Sequence, residues 1–198
     1  MTTADPSASP PDGARMRLIA AARAELVEQG LAGLSLRGIA RRAEVSHAAP
    51  KYFFGDRAGL LTAVAADGFT RLSAQLRVAL AESGPQLGSL GRAYVHFGLE
   101  HPALFELMFR PDELHREDPG LRAAQAESIG LLASATPVLE VSTVLPEGTP
   151  PAMALVSWAF AHGLVALVRD GAMQDLAAGA DVLTLADELV GVFDRATS

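Results

Sequence analysis

Six residues between Ser35 and Arg57 have the chemistry to meet a nucleic acid: Arg37, Ser46, His47, Lys51, Tyr52 and Arg57. Short or flexible donors such as Ser46, His47 and Lys51 reach base edges and nearby phosphates. Lys51 suits a guanine edge or a phosphate, and Tyr52 offers its hydroxyl to phosphate or its ring to a thymine methyl. Arg37 and Arg57 stand near the starts of predicted helices, where exposed backbone N–H groups help an arginine hold phosphate. The charge distribution agrees. The whole chain carries −7, yet residues 14–62 hold eight Lys/Arg against four acids, a balance of +4, while the residues after Thr62 carry −9. A basic head on an acidic body is the asymmetry expected when one part meets phosphate and the other does not.

A second group lies in the body. Trp158 and His162 are four residues apart and share one helical face, with Gly163 beside them. Gly inside a helix is unfavourable by about 1 kcal/mol against Ala, which suggests a close helix approach there. Phe97, Leu104, Phe105, Met108, Phe109, Leu132, Met153, Trp158 and Phe160 are candidates to line an apolar pocket between helices. Phe97, Phe105, Met108, Phe109, Trp158 and His162 are the residues assigned to ligand contact. Other chemistries find no support. Cys is absent, so disulfides, thiolate metal sites and Cys nucleophiles are excluded. His96 and His101 are five apart, poorly placed for one face. None of His96, His101, His115 and His162 joins a Glu-x-x-His or His-x-x-x-His pair, and Glu44–His47 spans a predicted turn with no third ligand nearby. No Gly-x-Ser-x-Gly or Gly-rich phosphate loop occurs. A metal site, a cofactor and an enzyme are therefore not expected.

The elements that position these residues read as helices throughout. Apolar residues recur at three- and four-residue spacing and strand signals are almost missing. A first helix over 14–29 carries Leu18, Ala22 and Leu26 on one face and closes at Gly30. Ser35 and Ser46 are predicted N-caps of two short helices, and Asp56 of a long fourth helix towards Glu82. Further helices are expected over 86–100, 102–109, 119–135, 150–169 and 181–195, with a loop over 137–151. Residues 1–13, rich in Pro, Ser, Thr and Asp, read as a disordered arm without the basic and apolar regions of a signal peptide. The apolar stretch 153–168 is broken by Ser157, His162 and Gly163 and reads as too short and too polar for a membrane span. The expected fold is all-α, about nine helices.

Two short helices in sequence each present a narrow apolar face and need a supporting helix; packed steeply, the second can lie in a major groove. Here the chain resembles the DNA-binding domain of tetracycline-repressor-like (TetR-family) regulators. The matching residues are Ala21-Ala22-Arg23, Glu28-Gln29-Gly30, Leu34 to Ala40, Ala43-Glu44-Val45-Ser46, Phe54, Arg57 and Leu60-Leu61. Departures are Glu44 where the family usually has Gly, Pro50 for an aliphatic residue, Lys51 for Tyr and Phe53 for His. With Ser46 as N-cap, Pro50 removes only the first intrahelical hydrogen bond, so the helix survives. Trp158, His162 and Gly163 resemble a Trp-His-Gly subclass of that family. The resemblance implies a helix-turn-helix over 14–62 and a ligand-binding and dimerisation domain over 63–198. It implies a homodimer on near-palindromic double-stranded operator DNA, its interface built from the last two helices with Val182, Leu185, Leu189, Val192 and Phe193 as a stripe. It further implies a repressor released by a small effector. The apolar composition of the body points to an apolar or amphipathic molecule, and the lack of Cys, of a signal peptide and of a membrane span fits a cytoplasmic protein with no membrane partner. The alternative from the same residues is a helical ligand-binding or interaction protein whose head has lost specific DNA readout.

Overall fold

The computed structural model describes residues 11–135, 149–174, 179 and 181–197, the side chains from residue 13 onward. Within these the chain forms nine α-helices and no strand: α1 (Pro11–Gly33), α2 (Leu36–Arg42), α3 (Ala49–Phe54), α4 (Arg57–Ser83), α5 (Leu87–Glu100), α6 (Pro102–Met108), α7 (Pro119–Ala133), α8 (Ala152–Arg169) and α9 (Val182–Thr197). A single 3-10 turn, Pro111–Glu113, follows α6. The first helix begins within the segment read as an arm, whose residues 1–10 lie outside the described residues, as does most of the predicted 137–151 loop.

Local chemistry accounts for most boundaries. In α1, Leu18, Ala22 and Leu26 are fully buried, and Gly30 breaks the helical path at φ 67°, where the predicted stop stood. Ser35 caps α2, its hydroxyl accepting from the Gly38 N–H at 3.1 Å. Asp56 caps α4 through the Gly59 N–H at 2.7 Å. The third helix departs from expectation. Ser46 is not its side-chain cap; the Ser46 carbonyl accepts from Ala49 N–H at 3.0 Å, and α3 starts at Ala49 with Ala48 as its N-cap residue. Pro50 therefore falls in the first turn, where the N–H is unpaired in any case, and no intrahelical bond is lost.

The long helix α4 organises the molecule. It packs on α1 and α3 near its start and on α5, α6 and α7 along its length. Leu60, Leu61, Val64, Phe69, Leu72 and Leu76 form its buried stripe. A division at residue 62 thus falls inside one helix. On the far side, α5 is sandwiched between α4 and the pair α8 and α9. Gly98 permits the α5–α8 contact: a Cβ there would stand 2.6 Å from a Val165 methyl. Gly163 does not play the part expected of it, since a Cβ at that position meets nothing within 4 Å.

Helix α8 is long and apolar enough by composition to cross a membrane, contrary to the sequence reading. Its inner face is packed, with Ala154, Ser157, Ala161, Leu164 and Val165 buried. Its outer face leaves Val156 and Leu167 about half exposed, at 53% and 49%. On α9, Val182, Leu185 and Leu189 pack against the core rather than forming an outward stripe, while Leu183 and Val192 face out. Phe160 and Phe193 stack between the two helices at 4.4 Å, their rings nearly parallel.

Candidate nucleic-acid interface and ligand cavity

The short helices α2 and α3 are held by α1 and by the turn between them. Ile39, Ala40 and Ala43 are buried, and Leu36, Val45, Phe53 and Phe54 pack against the same core. The Arg15 guanidinium covers the Phe54 ring at 5.4 Å. At the turn, the Val45 N–H reaches the Ala40 carbonyl at 3.1 Å, a five-residue return that puts Glu44 at φ 54°.

With the apolar side buried, Arg37 on α2, Ser46 and His47 in the turn, and Lys51 and Tyr52 on α3 are all exposed, Tyr52 at 81%. Among the described residues no ion pair holds Arg37, His47 or Lys51, which leaves their donors available. Arg41 shares this state and was missed by the sequence reading, although it follows Arg37 by one helical turn. The other arginines are engaged. Arg17 donates to the Ala43 carbonyl, Arg23 pairs with Asp67, and Arg42 makes a two-pronged pair with Glu28. Arg57 is not brought to the exposed set. It donates to the Leu31 carbonyl at 2.8 Å and to Glu113 at 2.7 Å, so it ties α4 to the end of α1 and to the 3-10 turn.

In the body an inner cavity of about 210 Å³ opens between four helices. Phe69 and Leu72 come from α4, Tyr94 from α5, Gln125, Ser128, Ile129 and Leu132 from α7, Trp158 from α8, and Phe109 follows α6. The structure thus brings together Phe109 and Trp158 of the predicted ligand set. Phe105 and His162 stand behind the wall: His162 is stacked on Phe105 and edge-on to Phe109 at 4.5 Å. Phe97, almost wholly buried, packs on His101 and lines neither cavity. Met108 faces a second, outer groove of about 730 Å³ along the 111–122 segment. The two spaces share Phe109 and Gln125 as a common wall.

Tyr94 is the residue that sequence reasoning did not single out. Its hydroxyl lies 2.9 Å from Trp158 Nε1 and 3.1 Å from His162 Nδ1. Indole N–H only donates, so the Tyr94 oxygen accepts from Trp158, and the phenol proton goes to His162 Nδ1 when the imidazole carries its own proton on Nε2. That assignment requires a neutral imidazole. Burial, followed by the nearby Arg169 cation, lowers the His162 pKa below its ordinary 6.5. Burial likewise raises the Tyr94 phenol, partly offset by the Trp158 bond, so the phenol stays protonated. His162 therefore orients the cavity wall through Tyr94. Among the described residues no three His, Asp or Glu side chains gather to hold a metal ion.

Comparison with known proteins matches both parts. Residues 18–64 match the model for bacterial regulatory proteins of the tetR family, and residues 87–193 match the tetracyclin repressor-like C-terminal domain. No curated protein matches the chain. Among solved structures, a protein of unknown function from Rhodococcus sp. RHA1 is 32% identical, with TM-score 0.76 over 98% of this chain and 99% of that one. A TetR-family transcriptional regulator from Streptomyces coelicolor is 20% identical, with TM-score 0.61 over 93% and 99%. The multidrug binding protein EbrR, solved with imidazole, is 24% identical, with TM-score 0.54 over 96% of each chain. The reading head, the helical body and the two family matches that together span most of the sequence make this chain a member of the TetR family of ligand-responsive, DNA-binding transcriptional regulators.

Proposed function

We propose that the protein is a cytoplasmic homodimeric repressor that leaves its operator when a small apolar or amphipathic effector fills the inner cavity. The observation that carries this reading is the path of α4. Phe69 and Leu72 on α4 line the cavity. The start of the same helix is capped by Asp56, directly after α3, and held to α1 by Arg57. A molecule that moves the middle of α4 moves the frame of the reading head. Residues 14–62 act as reader and 63–198 as sensor, with α4 shared between them. A 100-fold loss of operator affinity needs about 2.7 kcal/mol of coupling, which the effector supplies only by binding the two states differently.

An effector of modest size suits the cavity. A void of about 150 Å³ admits a benzene-sized molecule, so 210 Å³ suits one ring with a short substituent. Trp158 and Phe109 are its direct contacts, with His162 acting through Tyr94; the Trp158, His162 and Gly163 set supports placement in the Trp-His-Gly subclass. EbrR, a multidrug binding protein of the same fold, lends a sensing body some support. Arg37, Arg41, Ser46, His47, Lys51 and Tyr52 are assigned to DNA, and Arg57 to holding the head. The half-exposed Val156 and Leu167 on α8, with Leu183 and Val192 on α9, are assigned to the two-fold interface.

Fluorescence anisotropy against DNA flanking the protein's own gene, with random duplex as control across a salt series, tests this reading. Preference for the flanking DNA that weakens with salt is expected. Lys51→Ala should reduce operator affinity by about 1–3 kcal/mol while sparing random duplex if Lys51 reads guanine. Equal loss on both DNAs assigns Lys51 to phosphate. The second reading, a head without specific readout, is favoured by the Glu44 turn at φ 54°. It prevails if neither flanking DNA nor selection from a random DNA pool yields a preferred sequence.

A further inference from the structure

Among the described residues the inner cavity has no charged side chain in its wall. Its polar atoms are largely committed: Tyr94 to Trp158 and His162, and Ser128 to the Ala124 carbonyl at 2.9 Å. An ionised group placed there would lose its water without gaining a partner. The outer groove has the opposite character. Arg116 is exposed there with no ion pair among the described residues, and among them Arg122 is held by Glu117 alone, at 2.6 Å. His115 is directed to Asp56 instead. Two arginines thus face one acid on a body that otherwise carries an excess of acids. The side chain of Gln125, half-buried and without a hydrogen bond among the described residues, stands in the lining of both spaces.

We propose that the outer groove seats the anionic head, a carboxylate or phosphate, of an amphipathic effector whose apolar body fills the inner cavity. This deepens the repressor reading above and rests on its assignment of the inner cavity. The head takes Glu117's place on Arg122 and adds Arg116, while Gln125 meets the chain where it leaves the apolar wall. The same groove has Pro111 and His115 in its wall, on the segment that also carries Glu113. That segment holds the start of α4 through Glu113–Arg57 and His115–Asp56. An anion in the groove therefore touches the loop that holds the reading head, which gives a charged effector a second route to the DNA.

Three isosteric probes test the proposal on the full chain: 4-phenylbutyrate, 4-phenylbutan-1-ol and 4-phenylbutylamine, with affinities measured by calorimetry. The carboxylate is expected to bind at least about tenfold more tightly than the alcohol, with the amine weakest, and the gap should shrink with salt. In Arg116→Met/Arg122→Met, both exposed sites, the carboxylate should fall to the level of the alcohol while the alcohol is unchanged. Ser128→Leu, which fills the inner cavity, should remove both. An alcohol that binds as well as the carboxylate, or a preference that survives the double arginine variant, overturns the headgroup seat and leaves the cavity reading standing. Carboxylate binding that is unaffected by Ser128→Leu also overturns it, because the anion then binds apart from the cavity. Binding of none of the three overturns the cavity assignment and this proposal together.

Discussion

Glu44 sits at φ 54°, a conformation in which a side chain crowds its own carbonyl. The turn between α2 and α3 demands it, because the Val45 N–H must return to the Ala40 carbonyl. Relieving that crowding is worth about 1–2 kcal/mol, while glycine adds unfolded-chain freedom worth about 0.4–1 kcal/mol. Glu44→Gly should therefore raise stability by roughly 0.5–1 kcal/mol. A urea midpoint that fails to rise, at unchanged slope, shows that the turn is not strained. His162 carries a pH-dependent contribution whose sign follows from its lowered pKa. As pH falls below 6.5 the unfolded chain takes up the proton first, so stability declines through this window and levels off below the folded pKa. Urea titrations at pH 7.5, 6.5 and 5.5 should show this decline flattened in His162→Gln relative to the wild-type protein. The other histidines are common to both and cancel in that difference. A parallel decline in both proteins assigns the pH dependence elsewhere.

At the scale of elements, the start of α4 is where head and body meet. Asp56 caps the helix and its carboxyl is held below the ordinary value, first by the Gly59 N–H and then by His115. Arg57 bridges the Leu31 carbonyl and Glu113. Both members of the Arg57–Glu113 pair are partly exposed, at 40% and 33% of their side chains, so solvent screens the attraction. A double-mutant cycle of Arg57→Ala and Glu113→Ala should return a coupling of about 0.2–1 kcal/mol in stability. Glu113→Ala should also weaken the ability of an effector to release DNA, with effector-free operator affinity retained. Full release in that variant places the communication in α4 alone. The same region shows how local chemistry and packing divide the work. Ser35 and Asp56 cap as their types and positions predict, whereas Ser46 yields to Ala48 because the turn pulls its backbone into a tighter return.

The whole molecule leaves large apolar side chains on α8 and α9 that no described residue covers. Val156, Leu167 and Val192 are each about half exposed, and Leu183 is 37% exposed. Exposed large apolar side chains on two neighbouring helices are candidates for a protein–protein contact. Sedimentation of the wild-type protein should give a dimer, and Leu167→Glu/Val192→Glu should shift it towards monomer with helical content retained. Tight operator binding should fall with it, because two half-sites are read only by a pair. A variant that stays dimeric places the interface elsewhere.

Periodicity and composition by themselves determined the helical class, the positions of most helices, the basic head and the exposure of Arg37, Lys51 and Tyr52. These are local properties: a 3.6-residue repeat, a capping side chain or a local excess of arginine is complete within a short window. What only tertiary structure decided depends on residues far apart in the chain. Tyr94 gained its place from Trp158 and His162, more than sixty positions away. Arg57 found its partners in Leu31 and Glu113, and Phe97 and Phe105 went into the core rather than the cavity wall. An aromatic stripe reads alike in sequence whether it faces packed neighbours or a void, because the void is defined by four helices meeting and not by any one of them.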